Sequence, residues 1–393
     1  KEAIENILDM VELKKEGVIR KIVVTGCLAE RYRDEVLSEI PEVDAVVGIG
    51  SNSDICEVCE KVCGGEEDIK TFGEKTCLPL DGKRMLTTPS YYAYIKIGEG
   101  CSNNCTYCAI PSIRGKYRSR TPESILEEAK TLVDGGVKEL IVVAQDTTRY
   151  GEDLFGKCAL PALLTSLSKI EGLEWIRVLY LYPERLSDEI IDTFANNDKI
   201  VNYMDIPIQH CNSDILRRMN RRGSKEELTA LITKIREKIP DVVLRTTLIT
   251  GFPGETEEQF SELSEFVKEM KFDRLGCFAY SQEEGTPAAS FPDMVDEEVR
   301  EHRKEIIEEQ QDTRVAEMYE SMIGSTDEVV VEGYDKYLAE GGLYFGRSAM
   351  YAPEIDGMIY FSVPKGAEKP HIGDFVKVRF DDVIDNNLLG EMV

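Results

Sequence analysis

The sequence predicts an α/β protein in three parts: a partial doubly wound α/β unit, a partial (β/α)6 barrel and a closing all-β barrel. Three observations carry this prediction. Short apolar runs of strand length alternate with amphipathic helical patterns through the middle of the chain. A briefer alternation of the same kind precedes them. After Gly324 the texture changes to short strand-like runs split by Gly and Pro.

In chain order, Ile4, Ile7, Leu8 and Val11 sit at helical spacing within a helix expected from Lys1 to Glu16. Lys21 to Thr25 reads as a buried strand, Ala29 to Glu39 as a helix and Val43 to Val47 as a second strand. The Gly64-Gly65 pair and the mixed stretch to Thr88 read as a boundary. Candidate strands then fall at 92–97, 139–144, 175–180, 201–206, 242–249 and 273–280, with helices such as Pro122–Asp134, Lys225–Lys238 and Glu257–Met270 between them. Such β-α repeats imply right-handed crossovers and a parallel sheet. Six strands fall short of a closed eightfold barrel, so an open partial barrel is expected, with its site at the carboxyl ends of the strands. Asp296 to Met322 reads as a charged, solvated connecting helix. Strand candidates at 327–332, 343–350, 358–363 and 374–380 make the small β-barrel. The expected domains are 1–85, 86–321 and 322–393.

With 74 acidic against 47 basic side chains, the net charge of −27 disfavours broad nucleic-acid binding. It suits a cytoplasmic protein or one with a basic partner. No apolar run is long enough to span a bilayer. Eleven cysteines, an odd number, with only three histidines, point to thiols or metal ligands rather than a disulfide frame. The chain does not begin with Met and opens inside a helical pattern, so a further N-terminal piece is expected upstream.

The chemistry is concentrated in IGEGCSNNCTYCAIPSIRG, where Cys101, Cys105 and Cys108 form C-x-x-x-C-x-x-C just past the first barrel strand. A loop lets three thiolates converge on one four-iron cubane and leaves one iron open. An open iron can chelate the amino and carboxylate groups of S-adenosylmethionine (SAM), and an electron from the cluster can then cleave a carbon–sulfur bond to give a 5′-deoxyadenosyl radical. A zinc site is the competing reading, but a fourth ligand is missing nearby. A second triplet, Cys56, Cys59 and Cys63, has equally rare spacing. Because Ile55, Val58 and Val62 form a helical stripe beside it, these cysteines are expected to face a core as small apolar residues, with Gly64 ending the helix. Cys77, Cys158, Cys211 and Cys277 are isolated and read as packing or surface residues.

The motif and its surroundings resemble the methylthiotransferase branch of the radical SAM family, over essentially the whole chain. The resemblance implies a radical SAM partial barrel, a terminal TRAM domain and, at the start, the back half of an N-terminal domain whose three cysteines hold a second 4Fe–4S cluster. Only the third of those cysteines has a counterpart here, Cys27 in TGCL, which follows a strand directly. The two earlier ones are expected upstream. Two 4Fe–4S clusters and SAM are therefore the implied cofactors, and an electron donor such as a flavodoxin or ferredoxin is an implied partner. Catalytic side chains beyond the cluster ligands are not required, because the radical itself abstracts hydrogen.

Within the branch, three stretches resemble the members that methylthiolate an aspartate of small-subunit ribosomal protein S-twelve rather than those that modify tRNA adenosine. They are Pro111-Ser112-Ile113-Arg114-Gly115, Gln145-Asp146-Thr147-Thr148-Arg149-Tyr150-Gly151 and Pro207-Ile208-Gln209-His210. The terminal domain, from Met322 onward, carries thirteen acidic and six basic side chains, which suits a basic ribosomal protein better than tRNA. A tRNA enzyme, or a non-catalytic iron–sulfur protein that only docks the ribosomal partner, are the alternatives.

The remaining cofactor-site candidates lie at strand ends or in the cysteine loop. Tyr107 can stack near adenine or pack the loop. Gln145 and Asp146 end the second strand and Gln209 ends the fourth, all able to hydrogen-bond SAM or substrate, while His210 is a contact or a structural histidine. Arg245 on the fifth strand can pair with a carboxylate of SAM or substrate. Gly251 and Pro253, in TGFPGE, resemble a family motif near SAM. The glycines allow close backbone approach, and Glu255 or Thr256 can start the following helix.

Overall fold

Parallel pairing organises both α/β parts of the chain. The computed structural model describes residues 2–77, 82, 84–338 and 341–393. The remainder of the expected boundary stretch (78–81 and 83) lies outside the described residues. The chain divides into two compact units. One comprises Lys1–Arg84 with Glu99–Asn104 and Cys108–Arg118; the other comprises Met85–Gly98, Cys105–Tyr107 and Ser119–Val393. The residues of the expected second and third domains group together in the second unit, except Glu99–Asn104 and Cys108–Arg118, which group with the first. No helix among the described residues is long and apolar enough to cross a membrane.

In the first unit, β1 (Val23–Thr25), β2 (Ala45–Val47) and β3 (Ile69–Thr71) form a parallel sheet in that order. The third strand was not expected from the sequence, because Ile69-Lys70-Thr71 is too short and too polar to register as apolar. The first helix, Glu2–Lys15, buries Ile7 and Val11 but leaves Ile4 and Leu8 exposed. The helix expected over 29–39 is two helices, Cys27–Tyr32 and Asp34–Glu39, broken at Arg33. Its φ of 41° is left-handed and cannot continue a right-handed helix.

In the second unit, six parallel strands follow in chain order across one sheet: β4 (Tyr92–Lys96), β5 (Glu139–Val143), β6 (Trp175–Val178), β7 (Ile200–Asp205), β8 (Val243–Thr250) and β9 (Arg274–Ala279). The helices Pro122–Asp134, Lys225–Lys238 and Glu257–Met270 are capped at their starts by Thr121, Ser224 and Thr256. Thr256 forms a full capping box with Gln259, satisfying two backbone donors at once.

The charged helix Glu297–Met322 is not merely a connector. It buries Arg303, Ile307, Gln311, Met318 and Tyr319. Arg303 donates to Glu255 at 2.7 Å, and Gln311 donates to the Asp273 carbonyl at 3.2 Å. Polar residues with partners occupy its buried face, which hides the face from a search for apolar periodicity.

Beyond it, five strands close a barrel: β10 (Thr326–Asp335), β11 (Leu343–Ser348), β12 (Ile359–Ser362), β13 (Phe375–Ile384) and β14 (Asn387–Met392). The fifth strand was not foreseen. It pairs antiparallel with β13 and parallel with β12, and closure of the barrel supplies both ladders. Val329, Val331, Phe361, Val378, Phe380 and Leu388 fill the barrel.

The small barrel packs on residues from the amino ends of the sheet strands. Tyr92 reaches Glu354 at 3.0 Å, Trp175 meets Phe375 edge-on at 4.8 Å, and Tyr203 donates to Asp356 at 2.7 Å. At the centre, Glu139 accepts from Arg177 and from Arg347, each at 2.7 Å, and Arg347 also reaches Glu332 at 2.6 Å. Burial raises the cost of the Glu139 charge, yet the two guanidiniums outweigh it and hold the carboxyl below its usual value. Replacing Glu139 by Gln strands two buried cations, and we expect a loss of about 3–5 kcal/mol in urea unfolding. Because the folded pKa is depressed, this stabilisation is present above the unfolded carboxyl range, about 4.3, and is lost as pH falls through the folded value. Glu139→Gln should therefore flatten the acid limb of the stability profile.

Candidate functional site

The loop leaving β4 carries the first cysteine triplet, and all three cysteines are half-buried. Gly100 enters it with φ 79°, and a Cβ there would lie 2.4 Å from the Lys116 carbonyl. Cys101 donates its backbone N–H to the Gly115 carbonyl at 3.1 Å, and Arg114 donates to Glu99 at 2.7 Å, so the base of the loop is tied. Cys105–Tyr107 is seated separately. Thr106 donates its N–H to Met219 and its hydroxyl to the Arg218 carbonyl, and accepts from Ala288. Among the described residues no three His, Cys, Asp or Glu side chains are gathered as for a single metal ion. A cubane makes a different demand, since each thiolate binds a separate iron.

Around Cys105 the second unit builds a polar shell that sequence reasoning missed. The Cys105 sulfur lies 3.7 Å from the Tyr182 hydroxyl, and the Arg221 guanidinium stacks on Tyr182 at 4.3 Å while reaching Glu184 at 3.3 Å. Burial pushes the Tyr107 and Tyr182 phenols up, so both remain protonated donors. Tyr107 packs with Ile215, Met219, Phe252 and Tyr280, a loop-packing position. Tyr182 and Arg221 lie in turns with no periodic signature, and only the fold gathers them.

On β8, Arg245, Thr247 and Ile249 are half-exposed while Thr246, Leu248 and Thr250 are buried, which marks the open face of the sheet. Arg245 donates to the buried Asp205 at 2.8 Å, and the other Asp205 oxygen accepts from the Tyr180 backbone at 3.0 Å. Burial works against the Arg245 charge, but Asp205 leads the opposing effects and keeps it firmly cationic. Tyr180 and Gln209, at the ends of β6 and β7, are left-handed at φ 61° and 70°. Such non-glycine positions cost on the order of 1–3 kcal/mol and cluster at functional rims.

The other candidates separate. Gln145 keeps a buried side-chain oxygen with no hydrogen-bond partner, as a site awaiting an external donor requires. Asp146, by contrast, is buried and engaged by Thr148, Arg149 and Arg185. Gln209 spends its backbone N–H on Thr247 and its carbonyl on Ile249. His210 is fully buried, accepts at Nδ1 from Asn212 and faces Glu255 at 3.4 Å, a structural histidine. At Gly251 a Cβ would strike the Arg300 side chain, so protein packing already demands the glycine. Pro253 is buried in the same turn.

Cys27 opens its helix after Gly26, half-buried, and its sulfur accepts from Arg114 at 3.1 Å. A thiol facing a guanidinium fits a site that needs a thiolate. The second triplet is different from expectation. Val58 and Val62 are buried, but Cys56, Cys59 and Cys63 are exposed. One residue along a helix is a turn of about 100°, so the cysteine stripe lies beside the buried stripe rather than on it. Cys211 and Cys277 are buried, and burial pushes each thiol up to about 12. Cys158 is half-buried. The Cys77 side chain lies outside the described residues.

Comparison with known proteins gives a consistent result. Residues 95–267 match the radical SAM superfamily and residues 323–393 the TRAM domain. The ribosomal protein uS12 methylthiotransferase RimO of Lachnoclostridium phytofermentans is 49% identical over 390 residues, which cover 99% of this chain and 87% of the relative. Its counterpart in Clostridioides difficile is 46% identical over 392 residues, covering 100% and 87%. Among solved structures, the radical SAM methyltransferase TsrM of Kitasatospora setae, with tryptophan and a SAM analogue bound, is similar in fold. Its TM-score is 0.53 at 14% identity, covering 82% of this chain and 61% of that one.

Changing Cys101, Cys105 or Cys108 singly to Ala should abolish 5′-deoxyadenosine formation and lower bound iron by up to four atoms per chain. Changing Cys56, Cys59 and Cys63 together should leave both unchanged. Iron analysis and chromatography of reconstituted protein check the contrast.

Proposed function

The chain belongs to the RimO family of radical SAM methylthiotransferases, and from that premise we propose that it attaches a methylthio group to the β-carbon of an aspartate in ribosomal protein uS12. The observation that carries this is the C-x-x-x-C-x-x-C loop at the carboxyl end of the first strand of a six-stranded parallel sheet, within a chain similar to RimO from end to end. We assign Cys101, Cys105 and Cys108 to a 4Fe–4S cluster, and Cys27 to a second cluster. When bound, the first cluster supplies the electron that cleaves SAM. The radical so formed would remove a hydrogen atom from the aspartate β-carbon, and the cluster that Cys27 would help to hold would supply the methylthio group and accept the remaining electron as the carbon–sulfur bond forms.

The chain's own residues prepare this chemistry. Arg245, fixed by Asp205, presents a permanent cation to the open face, suited to a carboxylate of SAM or of the target aspartate. Gln145 offers an unsatisfied acceptor at the end of β5. We place Tyr107, Gln209, Gly251 and Pro253 around the same rim as supports of the loop and turns rather than as direct ligands. Asp146 is assigned to holding its own loop. The acidic terminal domain suits a basic ribosomal protein, on the isolated protein or the small subunit, and argues against direct nucleic-acid binding. We further propose a cytoplasmic location and an electron donor of the flavodoxin or ferredoxin class.

The test is mass spectrometry of anaerobically reconstituted full-length protein given SAM, sulfide, dithionite and either a uS12 loop peptide or tRNA. A methylthio mass gain on the peptide aspartate and none on tRNA is the expected result. A gain on tRNA overturns the substrate, and SAM consumption with no labelled product on either overturns the methylthio transfer.

A further inference from the structure

Cys105 belongs to the second unit, together with Tyr107, Tyr182, Glu184 and Arg221. Its segment is pinned there by Thr106, whose N–H donates to the Met219 carbonyl at 3.0 Å and whose hydroxyl donates to the Arg218 carbonyl at 2.8 Å. Tyr182 follows the carboxyl end of β6, and its hydroxyl lies 3.7 Å from the Cys105 sulfur. On the face of its ring sits the Arg221 guanidinium, 4.3 Å from the centroid, which donates to Glu184 at 3.3 Å. The Arg221 side chain is only 2% exposed, and its buried Nε has no hydrogen-bond partner.

The three cysteines of the loop, all among the described residues, are the donor set of a four-iron cubane with one open iron. A cysteine that ligates iron does so as a thiolate, which can only accept. The Tyr182 hydroxyl is then the donor of its pair. A guanidinium is always charged, and against the ring face it polarises the phenol and strengthens the O–H as a donor. Hydrogen bonds to ligand sulfurs and nearby charge set the potential of an iron–sulfur cluster. Reduction adds one negative charge. A donor on the sulfur with a cation behind it therefore favours the reduced state and raises the potential, while the Glu184 carboxylate opposes both.

We propose that Tyr182, backed by Arg221, is a positioning residue for the SAM-cleaving centre: it donates its hydroxyl to the Cys105 thiolate, and the Tyr182–Arg221–Glu184 group sets how readily that cluster takes up its electron. This rests on the assignment of Cys105 to the cluster.

The test uses full-length protein, reconstituted anaerobically, poised at a series of potentials and read by electron paramagnetic resonance. The midpoint is taken from the signal that changes when SAM is added, because a cluster with an open iron is the one that responds to SAM. Tyr182→Phe keeps the ring and its guanidinium contact. It should retain full iron, shift the midpoint to more negative potential and lose an exchangeable-deuteron coupling that the unaltered protein shows in heavy water. Arg221→Met should shift the midpoint the same way, and Glu184→Gln should shift it to more positive potential. Opposite signs are what a merely structural support does not produce. Should Arg221→Met fail to load iron, the other two variants still give the two signs. Loss of iron or an unchanged midpoint in Tyr182→Phe, or shifts of the same sign in Tyr182→Phe and Glu184→Gln, overturns the proposal. Cys105→Ala is the separate control: a SAM-responsive signal that survives in it, or that is missing from the unaltered protein, overturns the cluster assignment beneath the proposal.

Discussion

Six parallel strands that follow one another in chain order must send every carboxyl end to one rim of the sheet and every amino end to the other. The rest of the second unit depends on that constraint. The small barrel takes the amino-end residues, through Tyr92, Glu139, Trp175, Tyr203 and Arg274. The carboxyl ends are left uncovered by it, with Gln145 just past β5 and left-handed backbone at Tyr180 and Gln209 beyond β6 and β7. Closed α/β barrels likewise keep stabilising contacts at the amino ends of their strands and sites at the carboxyl ends.

Buried charge is the price of this division, and the protein meets it with networks rather than isolated pairs. Glu139 serves two arginines, Asp205 serves a guanidinium and a backbone N–H, and Glu255 lies between Arg303 and His210. Glu139 and Asp205 each use both oxygens, which is the condition under which a buried ion can be tolerated. Arg114 follows the same logic in the first unit, with one carboxylate and one sulfur as its two partners.

Much of the fold was legible from local pattern. All six sheet strands lie within a residue or two of their expected spans, and the helices Pro122–Asp134, Lys225–Lys238 and Glu257–Met270 coincide with theirs, because caps and periodicity are written within a turn or two of chain. The failures share one cause. β3 and β14 are too short or too polar to declare themselves and exist because a neighbouring edge needs pairing. Arg33 breaks a helix that propensity would continue. The helix Glu297–Met322 buries Arg303 and Gln311, which look solvated until Glu255 and the Asp273 carbonyl are placed opposite them. At Cys56, Cys59 and Cys63 two adjacent helical stripes were both plausible as buried faces, and only packing chose Val58 and Val62.

The sequence by itself determined the order of elements and the place of the central triplet in a loop, since C-x-x-x-C-x-x-C after a strand is a local statement. The tertiary structure decided which polar groups meet. Arg347 and Glu139 are 208 residues apart, Arg114 and Cys27 are 87 apart, and Arg221 reaches Glu184 across 37. Spacing and periodicity reach only a few residues along the chain. Pairings over these separations are fixed when the sheet and barrel close, and a buried charge without its partner is too costly to remain.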